Sequence, residues 1–175
     1  NPKRNKKFKT LELVIKNAKL ELDRILNVVE ENESALEDLS NILDLSSPPK
    51  RIEGYDISHI QGSDTVASQV VFINGLPSKQ NYRKYKINNS NVFIGHSDDF
   101  ASIEEVIFRR FKKWSRFKIE GGDFSLLFDK KKSKLDNALL TDWPDLVMID
   151  GGKGQLSSAL KALKSLDLID EVNIC

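Results

Sequence analysis

An α/β fold built on a mixed sheet, three antiparallel strands followed by helix, strand, helix and strand, is predicted by three features of this sequence. Runs rich in Val, Ile and Tyr, separated by turn residues, follow one another closely between Arg51 and Ile87. Apolar residues then change to helical spacing at Phe100, Ile103, Val106, Ile107 and Phe111. A short apolar run, Leu146 to Ile149, is closed by Asp150-Gly151-Gly152 before a further helical stretch. Strands joined by short turns pair antiparallel, whereas strands joined through a helix run parallel with a right-handed crossover.

The first element stands apart from that sheet. Leu11, Ile15, Ala18, Leu22, Ile25 and Val29 recur in steps of four and three, which places them on one stripe of a helix. Ser34 and Glu37 have the spacing of a capping box, so a second helix is expected over Leu36, Leu39, Ile42 and Leu43. The two make an N-terminal helical hairpin over residues 1–47, whose stripe packs on a neighbouring domain or serves a partner coiled coil. Ser46, Ser47, Pro48 and Pro49 break the pattern, and the main domain runs over residues 48–175.

Within it, strands are expected at Arg51 to Ser58, Thr65 to Ile73 and Asn81 to Ile87, with Asn74-Gly75 turning the chain after the second. Asp98 or Asp99 is placed to cap the helix containing Phe100 to Phe111. The stretch from Trp114 to Trp143 has little periodicity, contains Gly121-Gly122 and the basic run Lys130 to Lys134, and reads as an insertion at about 114–143. Leu156 to Leu166 reads as a helix, and Leu168 to Ile174 contains a last strand. Three strands, helix, strand, helix, strand is the element order of a ribonuclease H-like fold.

Composition narrows the function classes. With 27 basic and 26 acidic side chains nearly cancelling, no global field marks a nucleic-acid partner, so any such binding is local. The single cysteine, Cys175, excludes an internal disulfide and a zinc site built on cysteine pairs, and it fits a reducing cytoplasmic setting. No apolar run approaches the roughly 20 residues of a membrane span, and no signal-peptide core follows the basic start. A chain that lacks an initial Met and ends in an apparent strand, Glu171 to Cys175, is expected to be a fragment.

The chemistry converges on acids. In the predicted sheet the strand after the first crossover lies beside the first strand, bringing Asp56 and Asp150 together. Each sits in a strand that is otherwise apolar or small, where an unpaired carboxylate is costly to desolvate. A divalent cation compensates, because Mg²⁺ and Mn²⁺ take carboxylate oxygens and keep positions open for phosphate and water. The other reading makes Asp56 a turn former with Ser58 and Asp150 a glycine-turn residue capping the next helix. Asp98 and Asp99 divide between cap and ligand, and Asp56, Asp99 and Asp150 together make a carboxylate cluster suited to metal. Gly152, Lys153 and Gly154 lie between strand and helix, where backbone N–H groups and a lysine can meet a DNA phosphate; as a bare glycine turn the segment is equally ordinary. His59 and His96 are not needed for the metal argument. Arg83, Lys84 and Lys86, interleaved with Tyr82 and Tyr85, suit either a nucleic-acid backbone or a charged strand that resists aggregation.

These motifs, in order, resemble the UvrC family: Arg51-Ile52-Glu53-Gly54-Tyr55-Asp56, Thr65 to Phe72, Asp98-Asp99-Phe100, and Pro144-Asp145 through Asp150-Gly151-Gly152-Lys153-Gly154-Gln155. With Pro2-Lys3-Arg4 and Lys16-Asn17-Ala18 the resemblance covers nearly the whole chain. It implies a ribonuclease H-like endonuclease domain of nucleotide excision repair that cuts damaged DNA on the 5′ side of a lesion after UvrB, with UvrA upstream, has marked it. It also implies that Asp56, Asp99 and Asp150 are the essential acids, with Asp56 and Asp150 as metal ligands for Mg²⁺ or Mn²⁺. The family further uses a histidine downstream of the glycine-lysine motif, beyond the end of this sequence, so little cleavage is expected from this chain alone. Gly95-His96-Ser97 and the long 114–143 stretch depart from the family pattern. An endonuclease V-like repair nuclease and a non-catalytic DNA- or protein-binding fragment are the alternatives; Lys153-Gly154-Gln155 favours the UvrC reading.

Overall fold

The computed structural model describes residues 2–60, 64–88, 98–122 and 142–175. The chain forms two compact units, residues 1–48 and 49–175. The first is one helix, α1 (Pro2–Ile42), not the expected hairpin. From Leu11 to Ile42 the sequence contains neither Gly nor Pro, so nothing at Ser34 stops a helix already propagating, and the box spacing there does not start a new one. Leu11, Ile15, Leu22, Ile25 and Val29 of the expected stripe are exposed. The chain leaves the helix through Asp44, at φ 52°, and Leu45 closes the turn by donating its N–H to the Ser40 carbonyl.

In the second unit β1 (Arg51–Ile60) pairs antiparallel with β2 (Asp64–Ile73), Tyr55 lying opposite Gln69 and Asp56 opposite Ser68. Asn74 and Gly75 both take positive φ, 50° and 77°, the geometry that a two-residue hairpin turn demands. The strand expected over Asn81 to Ile87 is β4 (Arg83–Lys86); before it, and not anticipated, comes a short β3 (Leu76–Pro77) followed by a 3₁₀ turn at Lys79–Asn81, and both β3 and β4 pair with β2. After α2 (Asp99–Ile119), β5 (Leu146–Ile149) pairs parallel with β1, Ile52 opposite Leu146 and Tyr55 opposite Ile149. The sheet order β3-β2-β1-β5, with β4 also on β2, is therefore mixed as expected. Asp145 fixes this register: its carboxylate accepts from the N–H groups of Lys50 and Arg51 at 2.9 and 2.7 Å, and its own N–H donates to the Arg51 carbonyl.

α3 (Lys153–Ser165) follows, and the terminal strand reduces to a parallel bridge between Val147 and Ile174, held by Val147 N–H to Asn173 O and Cys175 N–H to Val147 O. Strand alternation sends Tyr55, Ala67 and Val147 into the core against Ile103, Val106, Ile107 and Phe111 of α2 and Ala159, Ala162 and Leu163 of α3. Residues 114–119, expected to open the insertion, are instead the last turns of α2. Trp114 continues the buried stripe three residues beyond Phe111, and with Trp143 it forms an edge-to-face pair at 5.1 Å. Gly121, at φ 83°, closes the helix, with Gly122 N–H returning to the Phe117 carbonyl. Residues 123–141, the rest of the expected insertion, lie outside the described residues.

Candidate active site

Parallel pairing of β1 and β5 brings the two predicted acids side by side where that pairing ends. The Asp150 N–H donates to the Tyr55 carbonyl at 2.9 Å, carrying the register one residue past Ile149, so that Asp150 stands beside Asp56. Adjacent strands lie about 4.8 Å apart, close enough for two carboxylates on one face to share a ligand. Both residues are exposed. Asp56 accepts from the Ser58 hydroxyl at 3.1 Å, the local contact that the turn reading anticipated. Among the described residues neither acid has an ion-pair partner.

The two acids at the start of α2 have separate roles. Asp98 is the N-cap, its carboxylate accepting from the Ala101 N–H at 2.9 Å, which leaves Asp99 at the first helical position. Asp99 shares a concavity of about 410 Å³ with Asp98, Phe100 and Gln155. Gln155 belongs to the first turn of α3, which begins just after Asp150, so Asp99 faces the same end of the sheet as the acid pair. Among the described residues, however, no group of three acidic, histidine or cysteine side chains is close enough to hold an ion. The donor set fits a hard divalent cation at Asp56 and Asp150, with Asp99 set apart from them. His96 lies outside the described residues, as does the side chain of His59.

Asp150 does not cap α3. The N-cap is Gly152, whose N–H is held by the Gln155 side-chain oxygen at 2.7 Å. That contact occupies one of the N–H groups expected to meet a phosphate, while Lys153 stays exposed. A Cβ on Gly151 would stand 2.2 Å from the same Gln155 oxygen, so a side chain there must expel the carboxamide. Gly151→Ala and Gln155→Ala should therefore each cost about 1 kcal/mol, the worth of one such hydrogen bond, and the double variant should cost no more than either. Urea denaturation of the three variants checks this; additive losses would mean that the two positions act separately.

Sequence reasoning missed the buried ion network beneath the site. Glu53 is 0% exposed, two residues before Tyr55 on the core face of β1. Its carboxylate accepts from Arg51 at 2.8 and 2.9 Å, from Arg110 of α2 at 2.7 and 2.9 Å, and from the Tyr55 hydroxyl at 2.8 Å. Burial opposes the charge on Arg110, but the hydrogen bonds and charge of Glu53 outweigh it and raise the guanidinium's pKa above its ordinary value. Burial first, then the charge of Glu53, push the Tyr55 phenol well above its usual range. One signal was legible: Arg110 falls between Ile107 and Trp114 on the buried stripe of α2, where a charge requires a partner.

Asp142 completes the network, accepting from Arg51 and Arg110 and paired with Lys113. Burial favours its neutral form, yet Lys113, Arg110 and Arg51 together hold its pKa below the ordinary carboxylate value. A depressed folded-state pKa stabilises the fold above ~4, the unfolded value, and that contribution disappears as pH falls through the lower folded value. The melting-temperature gap between wild type and Asp142→Asn should therefore be present at neutral pH and should shrink in acid below about pH 4. A gap that widened in acid would contradict this assignment.

On β4, Arg83, Lys84 and Lys86 are exposed, but Tyr85 is committed. Its hydroxyl donates to Gln69 at 2.8 Å, and the Arg109 guanidinium stands 5.5 Å from its ring centre. Arg83 donates to the Gln80 and Tyr82 carbonyls.

A family model described as "UvrC RNAse H endonuclease domain" matches residues 40–175, more than three quarters of the chain. The chain belongs to the UvrC ribonuclease H endonuclease domain family. Over 174 residues, 99% of its length, it is 75% identical to the UvrABC system protein C of Prochlorococcus marinus subsp. pastoris, of which it covers 26%. It is 60% identical over 173 residues to the protein of the same name from Prochlorococcus marinus strain NATL1A, covering 27% of it, and 56% identical over 174 residues to that of a Synechococcus strain, covering 26%. The chain thus spans about a quarter of the length of these curated relatives. Membership of the UvrC ribonuclease H endonuclease domain family sets aside the endonuclease V-like alternative. No helix among the described residues is long and apolar enough to cross a membrane.

Proposed function

We propose that this domain makes the 5′ incision in damaged DNA by metal-dependent phosphodiester hydrolysis, as part of a longer cytoplasmic protein that acts with UvrB after UvrA. The observation that carries this reading is the placement of Asp56, within β1, beside Asp150, just past the end of the parallel strand β5, both exposed and without cationic partners among the described residues. Asp56 and Asp150 would hold Mg²⁺ or Mn²⁺, which when bound supplies charge neutralisation at the phosphate and an acidified water. Their exposed carboxylates would orient the ion. Asp99, at the start of α2, is the third acid of the set, too far from the other two to share an ion with both in this arrangement. The exposed Lys153 at the start of α3 contributes positive charge for the phosphate backbone of the departing strand, whereas the Gly152 N–H is held by Gln155 and Gly154 is covered by the Phe100 ring. Buried Glu53, two residues before Tyr55, anchors β1 to α2 and so holds the strand that presents Asp56.

Calorimetric titration of the chain with Mn²⁺ tests the metal reading. Binding by wild type that is lost in both Asp56→Asn and Asp150→Asn is the expected result. Undiminished binding in either variant, or none by wild type, would overturn the assignment of these two acids as an ion-holding pair.

A further inference from the structure

We infer that Phe100 is a stacking platform for an unpaired nucleobase, and that the groove on its far side receives the edge of that base. This rests on the nuclease reading, since it requires DNA at this end of the sheet.

Phe100 is 54% exposed although it follows Asp99 directly in the first turn of α2. A partly exposed phenylalanine alone means little. What singles this one out is its seat. A Cβ on Gly154 would lie 2.4 Å from the ring's Cε1 and 2.8 Å from its Cζ, so the ring rests against the backbone of α3 where only glycine leaves room. Gly154 is the second residue of α3, and its absent side chain gives an aromatic ring a fixed position with much of its surface in solvent. A ring held in place and left open is what base stacking needs, because every base has a π-face.

The surroundings distinguish a base from a phosphate. Phe100 lines two concavities, the one of about 410 Å³ containing Asp99 and Gln155, and another of about 500 Å³ lined also by Glu104, Ser157, Ser158 and Lys161. Asp98 borders both. The larger has the size of a small-ligand cleft. Two carboxylates against one ammonium make it unsuited to a phosphate; Glu104 and Lys161 are themselves paired at 2.8 Å, and Asp98 caps α2. Carboxylates accept from exocyclic amino groups, an ammonium donates to ring carbonyls, and serine hydroxyls do either, which matches the mixed edge of a nucleobase. The glycine-lysine turn and the paired-aspartate motif are thereby linked: Gly154 of the first seats the ring that follows the second.

The test titrates the chain, without divalent metal, into a fluorescein-labelled duplex carrying one unpaired base, read by anisotropy. Phe100→Trp adds an emission readout, since the native indoles of Trp114 and Trp143 are buried. Phe100→Trp should bind at least as tightly as wild type, and its new indole should be quenched at saturation. Phe100→Ala and Phe100→Leu should bind roughly 5- to 100-fold more weakly, the range that base–aromatic stacking supplies. Phe100→Leu keeps an apolar contact on Gly154 and guards against misfolding, so full rescue by leucine would make the ring a packing residue and overturn the proposal. Wild-type affinity in Phe100→Ala, or an indole silent at saturation, would overturn stacking while leaving the nuclease reading intact. Absence of any DNA binding by wild type would overturn both.

Discussion

Glu53→Ala should lower the melting temperature on the order of 10–20 °C, the largest stability loss expected of any single substitution in this chain. The carboxylate is the shared acceptor of two guanidinium groups and a phenol that are themselves buried, and removing it leaves Arg51 and Arg110 desolvated around an empty position. Breaking a buried ion pair from one side costs roughly 3–5 kcal/mol, because the surviving charge can neither return to water nor find a new partner. A domain of this size loses a few degrees for each kcal/mol. Glu53→Gln is nearly isosteric but turns an amide N–H₂ toward a guanidinium, so it should recover only a minor part of the loss. Asp142→Asn, at the half-exposed rim of the same network, should cost less than about 1 kcal/mol, since solvent screens its ion pairs. Thermal denaturation of the three variants orders them. A Glu53→Ala protein that melts within a degree or two of wild type would show that Asp142 alone satisfies both arginines.

Glu53 also marks the boundary of what the sequence reveals. Its neighbours on β1 announce a strand, and pairing of that strand with β2 and β5 follows from the Asn74-Gly75 turn and from the helix between them. The neighbouring placement of Asp56 and Asp150 was therefore legible from connectivity alone. The partner of Glu53 was not, because Arg110 is 57 residues distant and stands in the run Arg109-Arg110, where one residue faces solvent and the other the core. Only the period of α2, continued through Ile107, Arg110, Phe111 and Trp114, separates them. The same period, followed one turn further, would have kept Trp114 in the helix instead of assigning it to an insertion. At the N-terminus the error ran the other way: a local capping signal at Ser34 suggested a break that an uninterrupted run of helix-compatible residues overrides. The seat of Phe100 on Gly154 was hidden for a different reason, since a glycine in a strand-to-helix turn reads as turn chemistry until another side chain is seen resting on it.

The second large effect concerns incision by a full-length family member carrying this domain. Asp56→Asn and Asp150→Asn should each lower the single-turnover incision rate by about a thousandfold. That is the worth of several kcal/mol of charge stabilisation at the phosphate, at ~1.4 kcal/mol per factor of ten, once an ion loses a charged ligand. The paired acids at the start of α2 make the sharper comparison. Asparagine caps a helix about as well as aspartate, so Asp98→Asn should preserve both the fold and, within a few fold, the rate. Asp98→Ala should cost about 1 kcal/mol of stability through loss of the contact to Ala101, again with the rate largely kept. Asp99→Asn should reduce incision as severely as the strand variants, because the third acid acts through its charge and not through a cap. The reverse pattern, a dead Asp98→Asn and an active Asp99→Asn, would mean that the cap rearranges when DNA and metal bind and that the functional carboxylate is the one now turned to the helix. Raising the Mn²⁺ concentration separates the two routes to a low rate: a weakened ion site recovers as the metal is raised, whereas a displaced α2 does not.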